Sequence, residues 1–304
     1  MTRPLRLRRS ELSVPGTSSR MIEKGVAGDA DLVFLDLEDA VAPGEKVAAR
    51  KPVIAALNDL DWGKKIRAVR INGVETHWCH DDLLEVAGAA GANIDVIIVP
   101  KPKAPRDVWF VDTLLSQIEL KLGLPLGRIG LELLIEETEA LARVEEIAAC
   151  CPRVEALILG VGDLSASQGM RLGGGAAAAK YPGDIWHYAR TRMIVAARAA
   201  GIDAIDGPFG DFRDDEGYRR EAVWASTLGA VGKWAIHPNQ IPIANEVFSP
   251  TDREIERAKK MIDAVKAAEE GGAGAAAAGT TMVDAATARI FEGVLERARL
   301  TGKL

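Results

Sequence analysis

Short apolar runs, each closed by a polar or glycine position, recur along the chain and are separated by longer segments whose apolar residues fall three and four apart. The runs are SELSVPG (10–16), LVFLDLED (32–39), IRAVRING (66–73), VIIVPK (96–101), IGLELLIE (129–136), ALILGVGD (156–163), DAIDGPF (203–209) and GKWAIHP (232–238). They are β-branched or leucine-dense with little alternation, the pattern of strands covered on both faces. The intervening KVAARKPVIAALNDL and DIWHYARTRMIVAARAA carry helical spacing. Eight strand–helix units predict an α/β fold, a closed (β/α)8 barrel spanning residues 1–248, with its functional groups at the carboxyl rim. Residues 249–304 then form a C-terminal extension: a helix begun by Ser249-Pro250, a Gly/Ala linker (271–281) too plain to pack firmly, and an amphipathic last helix. Since the barrel is already complete, this extension reads as a helical lid. A second Gly/Ala segment, RLGGGAAAAKYPG (171–183), is placed to form a loop over the rim.

Composition narrows the class. The chain has 304 residues, 48% of them hydrophobic, enough for a large core. With 38 basic against 44 acidic residues and no long basic run, nucleic acid and membrane surfaces are disfavoured as partners. Three cysteines make no disulfide framework, and the basic N-terminus lacks an apolar segment behind it, so a cytoplasmic protein is expected.

The strand ends collect Gly16, Asp36, Glu38, Asp39, Arg70, Asn72, Lys101, Glu136, Asp163, Asp206, Lys233 and His237. Glu136 and Asp163 end neighbouring strands and converge on one rim, which suits a hard divalent cation such as Mg2+. The ordinary alternative for each is to cap the following helix. Zinc is disfavoured, because His77, His80, His187 and His237 fall in no HxH or HExxH spacing. Arg70 points at the rim and can hold a carboxylate or an oxyanion; its structural alternative is an ion pair with Asp36 or Glu38. The cluster Asp36, Glu38 and Asp39 exceeds what one cation needs, so at least one orients Arg70 or a metal-bound water and one is an ordinary structural partner. Lys101 and Lys233 raise a Schiff-base alternative, with ion pairing to those acids the commoner use. Cys150 and Cys151 read as core, and His237 before a proline as a turn cap.

SELSVPGTSSRMIEK, VFLDLEDAVAPGEK, VRINGVET, VPKPK, LELLIEETEAL, GVGDLSAS, IDGPFGDFRDDEGY and VGKWAIHPNQIPIANEVFSP resemble the acyl-CoA lyases related to the citrate lyase beta subunit, the malyl-CoA/β-methylmalyl-CoA lyases above all. The resemblance runs over nearly the whole chain. It implies a (β/α)8 barrel, dependence on Mg2+ with Mn2+ as a substitute, and reversible cleavage of a 3-hydroxyacyl-CoA thioester into glyoxylate and acetyl-CoA or propionyl-CoA. It places metal ligands on Glu136 and Asp163, an enolate-stabilising arginine on Arg70, and a CoA-phosphate contact on Lys24. It also implies a lid aspartate donated to a neighbouring subunit, which falls on Asp284 in MVDAAT, where the residues alone suggest a helix N-cap. Trimers or hexamers follow from the same resemblance. Two departures stand out: the 171–183 loop is short and Gly/Ala-rich, and an arginine carried by some members is Ser18 here, with Arg20 two residues on as the candidate phosphate contact. A malyl-CoA thioesterase, a citramalyl-CoA lyase and, from another class, a non-catalytic barrel subunit remain alternatives.

Overall fold

A computed structural model describes residues 4–171, 181, 183–272, 274–278 and 281–304. Most of the 171–183 loop and parts of the 271–281 linker lie outside the described residues. The chain divides into two units, Met1–Asn245 and Glu246–Leu304.

In the first unit eight parallel strands pair in sequence order and close on themselves: β1 (Ser10–Pro15), β2 (Leu32–Asp36), β3 (Ile66–Arg70), β4 (Val96–Val99), β5 (Gly130–Ile135), β6 (Val154–Leu159), β7 (Asp203–Asp206) and β8 (Gly232–Ala235). Closure sets Ser10 opposite Lys233. Every residue of β2, β4, β5, β6 and β8 is buried, as strands with helices outside and side chains inside require. The barrel interior is a layer of Leu32, Phe34, Ala68, Val96, Ile98, Leu134, Ala156, Ile158, Ile205 and Trp234, in which Phe34 and Trp234 rings lie 4.5 Å apart.

Alternation along each strand carries that interior face outward to the rim and down to the floor. On β5 it runs Glu132, Leu134, then Glu136 just beyond the strand; on β2 and β3 it reaches Asp36 and Arg70. The floor is closed by Arg8, which precedes β1. Its guanidinium donates to Glu132 (2.7 Å), Asp203 (3.1 Å) and Glu155, while Arg6 also donates to Glu155 (2.8 Å). Glu11 lies buried beside this network and accepts from Trp234 Nε1 at 2.8 Å. Its other oxygen, and Glu132 Oε2, have no partner among the described residues.

In the second unit the helix Asp252–Glu270 is capped reciprocally by Thr251 and Glu254 and packs against the helix Ala285–Leu300. Between them the linker, expected to be too plain to pack firmly, forms part of a two-stranded ladder. Ala275–Ala278 (β9) pairs antiparallel with Thr281–Asp284 (β10), Asp284 opposite Ala275. A ladder is made by backbone groups, so plain side chains do not forbid it, and Met282 and Val283 favour the extended state. No helix among the described residues is long and apolar enough to cross a membrane.

Burial, and next to it the neighbouring Glu132, hold the Glu11 carboxyl well above its ordinary 4.5. A raised acid keeps its proton in the fold while the unfolded chain loses it. Its contribution to stability is therefore complete below the ordinary value and is lost as pH rises through the folded one. Glu11→Gln, neutral at every pH, is expected to flatten the fall in urea midpoint as pH rises above the ordinary carboxyl value and to be the more stable form at the upper end of the titration. An unchanged slope in the variant would show that Glu11 is already ionised in the fold.

Candidate active site

Five carboxyl groups and two cations meet at the carboxyl rim. Arg70, last residue of β3, donates from Nε to Asp36 Oδ1 at 2.7 Å and from one terminal nitrogen to Asp36 Oδ2 at 2.5 Å, a two-bond fork. Its other terminal nitrogen lies 2.9 Å from Glu38 and 3.8 Å from Asp39. The guanidinium carbon stands 5.4 Å from the Trp234 ring centre and 5.9 Å from that of Phe34, so it is seated on the aromatic top of the core. Asp36 is held in turn by the backbone N–H groups of Glu38 and Ala40 (2.8 and 3.2 Å).

Lys101 occupies the middle of the cluster. Its ammonium lies 2.5 Å from Glu38, 3.3 Å from Asp39 and 3.5 Å from Asp163, and its backbone N–H donates to Glu136 at 3.0 Å. Glu136 is buried, whereas Asp163 is more accessible. β6 ends at Leu159, so Asp163 sits in the first turn of the helix Val161–Ser167 and not at the strand end itself. The reach is made possible by Gly160, where an added Cβ would lie 2.4 Å from Glu136 Cβ and 2.7 Å from its Oε2.

Five carboxyls against two cations leave a surplus of three negative charges if all ionise, and protonation responds to it. Burial, followed by the nearby Glu38, pushes Glu136 well above the carboxylate range, and Asp163 adds to the rise. Glu38 is raised by burial that Arg70 and Lys101 only partly offset. The more open Asp39 is lowered, because Arg70 and Lys101 outweigh its own burial. Lys101, despite burial, is held more firmly protonated by Glu38. An ammonium paired in this way is a poor nucleophile, and ion pairing with the acids is the use of Lys101 that the contacts show.

Hard carboxylate oxygens with uncompensated charge are the donor set that Mg2+ takes, and this ion is commonly held by one or two protein carboxylates with water and substrate oxygens completing the shell. Among the described residues Glu136 engages only one oxygen, with the Lys101 amide, and Asp163 has a single 3.5 Å ion pair from one oxygen to the Lys101 ammonium, so Glu136 and Asp163 fit that description. No set of three or more His, Cys, Asp and Glu side chains arranged to hold a metal exists among the described residues, which leaves no protein-only cage.

The family model described as HpcH/HpaI aldolase/citrate lyase matches residues 9–238. The chain belongs to that family. HpcH/HpaI aldolase/citrate lyase membership makes it an enzyme of the carbon–carbon lyase class. The chain is 42% identical over 307 residues to the L-malyl-CoA/beta-methylmalyl-CoA lyase of Rhodobacter capsulatus, covering 98% of this chain and 96% of that one. It is 37% identical to a (3S)-malyl-CoA thioesterase of Cereibacter sphaeroides over 88% of this chain and 86% of that one. Among solved structures it is similar to CitE of Mycobacterium tuberculosis in complex with magnesium, acetoacetate and coenzyme A, with a TM-score of 0.75, 29% identity, and 95% and 97% of the two chains covered.

Asp206 and Lys233 separate from this cluster by strand parity, and Lys233, the second residue of β8, lies near that strand's amino end, which corrects its expected place at the carboxyl rim. Asp206 and Lys233 face the helix layer: Lys233 Nζ donates to Asp206 (2.5 Å), Gly207 O and Glu221, while Arg190 Nε holds the other Asp206 oxygen at 2.8 Å. Although burial opposes it, these two cations keep Asp206 below the usual range. Asn72 is tied to Asp82 by its backbone and its amide (2.9 and 2.7 Å), and His237 Nδ1 accepts from Asn239 N within its own turn. Arg20 and Lys24 stand four residues apart on the exposed face of helix α1 (Ser19–Ala27). Asp284 belongs to the second unit, where it caps the helix Ala285–Leu300 through Thr287 N and Oγ1, both at 2.9 Å; these bonds hold it below the carboxylate range. Lys46 was not a candidate from the residue pattern, yet its buried amine donates to Leu37 O (3.1 Å) and Glu38 O (2.7 Å) and fixes the loop bearing Glu38. Its signal was the quoted block VFLDLEDAVAPGEK, which ends on it.

If Gly160 exists to admit Glu136, the two positions are coupled. Gly160→Ala is expected to lower stability by about 1–3 kcal/mol, and the same change made in a Glu136→Ala background should cost far less, as read from urea unfolding of all four forms. Additive losses would mean that residue 160 is constrained by something other than the carboxylate.

Proposed function

We propose that this chain reversibly cleaves the carbon–carbon bond of a 3-hydroxyacyl-CoA, L-malyl-CoA or β-methylmalyl-CoA, to give glyoxylate with acetyl-CoA or propionyl-CoA, using Mg2+ held by Glu136 and Asp163. The observation that carries the reading is a fixed, buried guanidinium sharing one rim with two carboxyl groups that each engage Lys101 through a single oxygen, in a chain so similar to a malyl-CoA lyase. A cation held there would supply Lewis acidity toward the hydroxyl and carboxylate oxygens that become glyoxylate.

The chain's own groups account for the rest. Arg70 is braced by Asp36 and by the aromatic floor beneath it, so it needs no reorganisation to meet negative charge as that develops on the thioester oxygen. The terminal guanidinium nitrogens carry four hydrogens, of which the Asp36 and Glu38 contacts take one each, leaving two to donate. Asp284, ionised at neutral pH, is the base that takes a proton from the acyl-CoA α-carbon in the condensing direction and returns it in cleavage. In this reading residues 249–304 are a lid donated to a neighbouring copy in a homotrimer or homohexamer, and closure keeps water from the enolate. Arg20 and Lys24, both exposed on one helix face, supply the positive charge for CoA phosphates.

A thioesterase reading is favoured by one observation, the 37% identity to a (3S)-malyl-CoA thioesterase. Incubation with acetyl-CoA or propionyl-CoA, glyoxylate and Mg2+, followed by mass detection, separates the two. Malyl-CoA or β-methylmalyl-CoA supports the lyase, free malate the thioesterase, and no product overturns both. Arg70→Ala should cost about 3 kcal/mol or more in kcat/KM, and Arg70→Lys, which keeps a charge beside Asp36, should recover the fold without recovering the rate. Asp284→Asn should lower kcat with little change in KM for acyl-CoA; wild-type turnover in that variant would remove Asp284 from the chemistry.

A further inference from the structure

One residue touches both carboxylates of the candidate cation site, and it does so through two different parts of itself. Lys101 presents its backbone N–H to Glu136 at 3.0 Å and its ammonium to Asp163 at 3.5 Å, with Glu38 at 2.5 Å on the same ammonium. It is also the one described non-glycine residue with positive φ, +52°. That region costs an ordinary L-residue about 1–2 kcal/mol, and Pro102 behind it disfavours helical conformations further. Such a backbone persists where its surroundings determine it. Here the surroundings are the two contacts themselves, the amide fixed on Glu136 and the side chain drawn into the acid cluster.

We propose that Lys101 is a positioning residue whose strained backbone sets Glu136 while its ammonium, seated between Glu38 and Asp163, serves as a displaceable counter-ion to Asp163 until the divalent cation binds. The inference rests on the reading of Glu136 and Asp163 as cation ligands. Its physical content is competition. An ammonium near Asp163 repels an incoming divalent cation, and it must give up Asp163 for the cation to take it, retaining Glu38 and Asp39 as its remaining partners.

Glycine separates the two roles, because it accepts positive φ without strain and keeps the amide while removing the amine. Mn2+ titrated into the full chain without substrate, followed by electron paramagnetic resonance, should bind Lys101→Gly about tenfold or more tighter than wild type, the scale on which one charge about 4–6 Å away shifts an ionisation equilibrium. Without Mn2+ the same variant should melt lower than wild type, since the carboxylates lose their counter-ion, and saturating Mn2+ should restore more of its melting temperature than of wild type's. Lys101→Ala, which also lacks the amine but has the strained backbone without a tether, should bind Mn2+ more weakly than Lys101→Gly. Equal or weaker Mn2+ affinity in Lys101→Gly would overturn the counter-ion role, and equal affinity in the Gly and Ala variants would overturn the backbone role. Glu136→Gln is the control for the parent reading. If wild type binds Mn2+ no better than Glu136→Gln, the cation site and this proposal fall together. If wild type binds Mn2+ through Glu136 and Lys101→Gly tightens it while no acyl-CoA is turned over, only the catalytic reading falls.

Discussion

Alternation of side chains along a closed parallel sheet decides what each polar residue of this barrel can do. A residue of one parity faces a narrow interior that is dry except at its ends, and a residue of the other faces the helices. Asp36, Arg70 and Glu136 take the interior parity and emerge together above Phe34 and Trp234. Asp206 and Lys233 have the opposite parity, and their charges are consumed between sheet and helix by Arg190 and Glu221. Two groups of buried charge thus lie within a strand or two of each other without sharing a function.

The interior group is deliberately unbalanced. Asp36 is satisfied by a fork from Arg70 and two backbone N–H groups, a closed arrangement that serves to hold the guanidinium still. Glu38, Glu136 and Asp163 are left with more negative charge than Lys101 can neutralise, and the chain answers by raising the two buried members toward their protonated forms. A fully neutralised cluster would be more stable and would offer nothing to a cation. Local instability at a rim supported by a rigid barrel is the usual division of labour in this architecture.

Much of this was legible in the residues. All eight strands were, because two-sided burial writes itself as unbroken apolar runs, and so was the collection of acids at their ends. What was not legible is pairing. Nothing in the run DAIDGPF distinguishes Asp206 from Asp36 in VFLDLED, since each ends an apolar strand; only the parity of the neighbours across the sheet does, and that depends on register. Asp163 was read as a strand terminus although β6 stops at Leu159, because glycine and valine continue the apolar pattern into the first turn of a helix. The Gly/Ala linker reads as too plain to pack firmly because its pattern carries no side-chain signal, while the ladder of β9 and β10 is written in the backbone. The floor network was missed for a related reason: Arg8 lies outside any strand, and its partners are far away in the chain.

That distance shapes how the barrel can assemble. Arg8 precedes β1, and its partners Glu132, Glu155 and Asp203 follow 124, 147 and 195 positions later. A sheet of the first four strands alone leaves the Arg8 guanidinium without these partners, and the set is complete only when β7 has joined. Half-barrels are therefore poor resting points for this chain, and closure is a late event in which the two ends of the sheet and the ions beneath them come together in one step of high contact order.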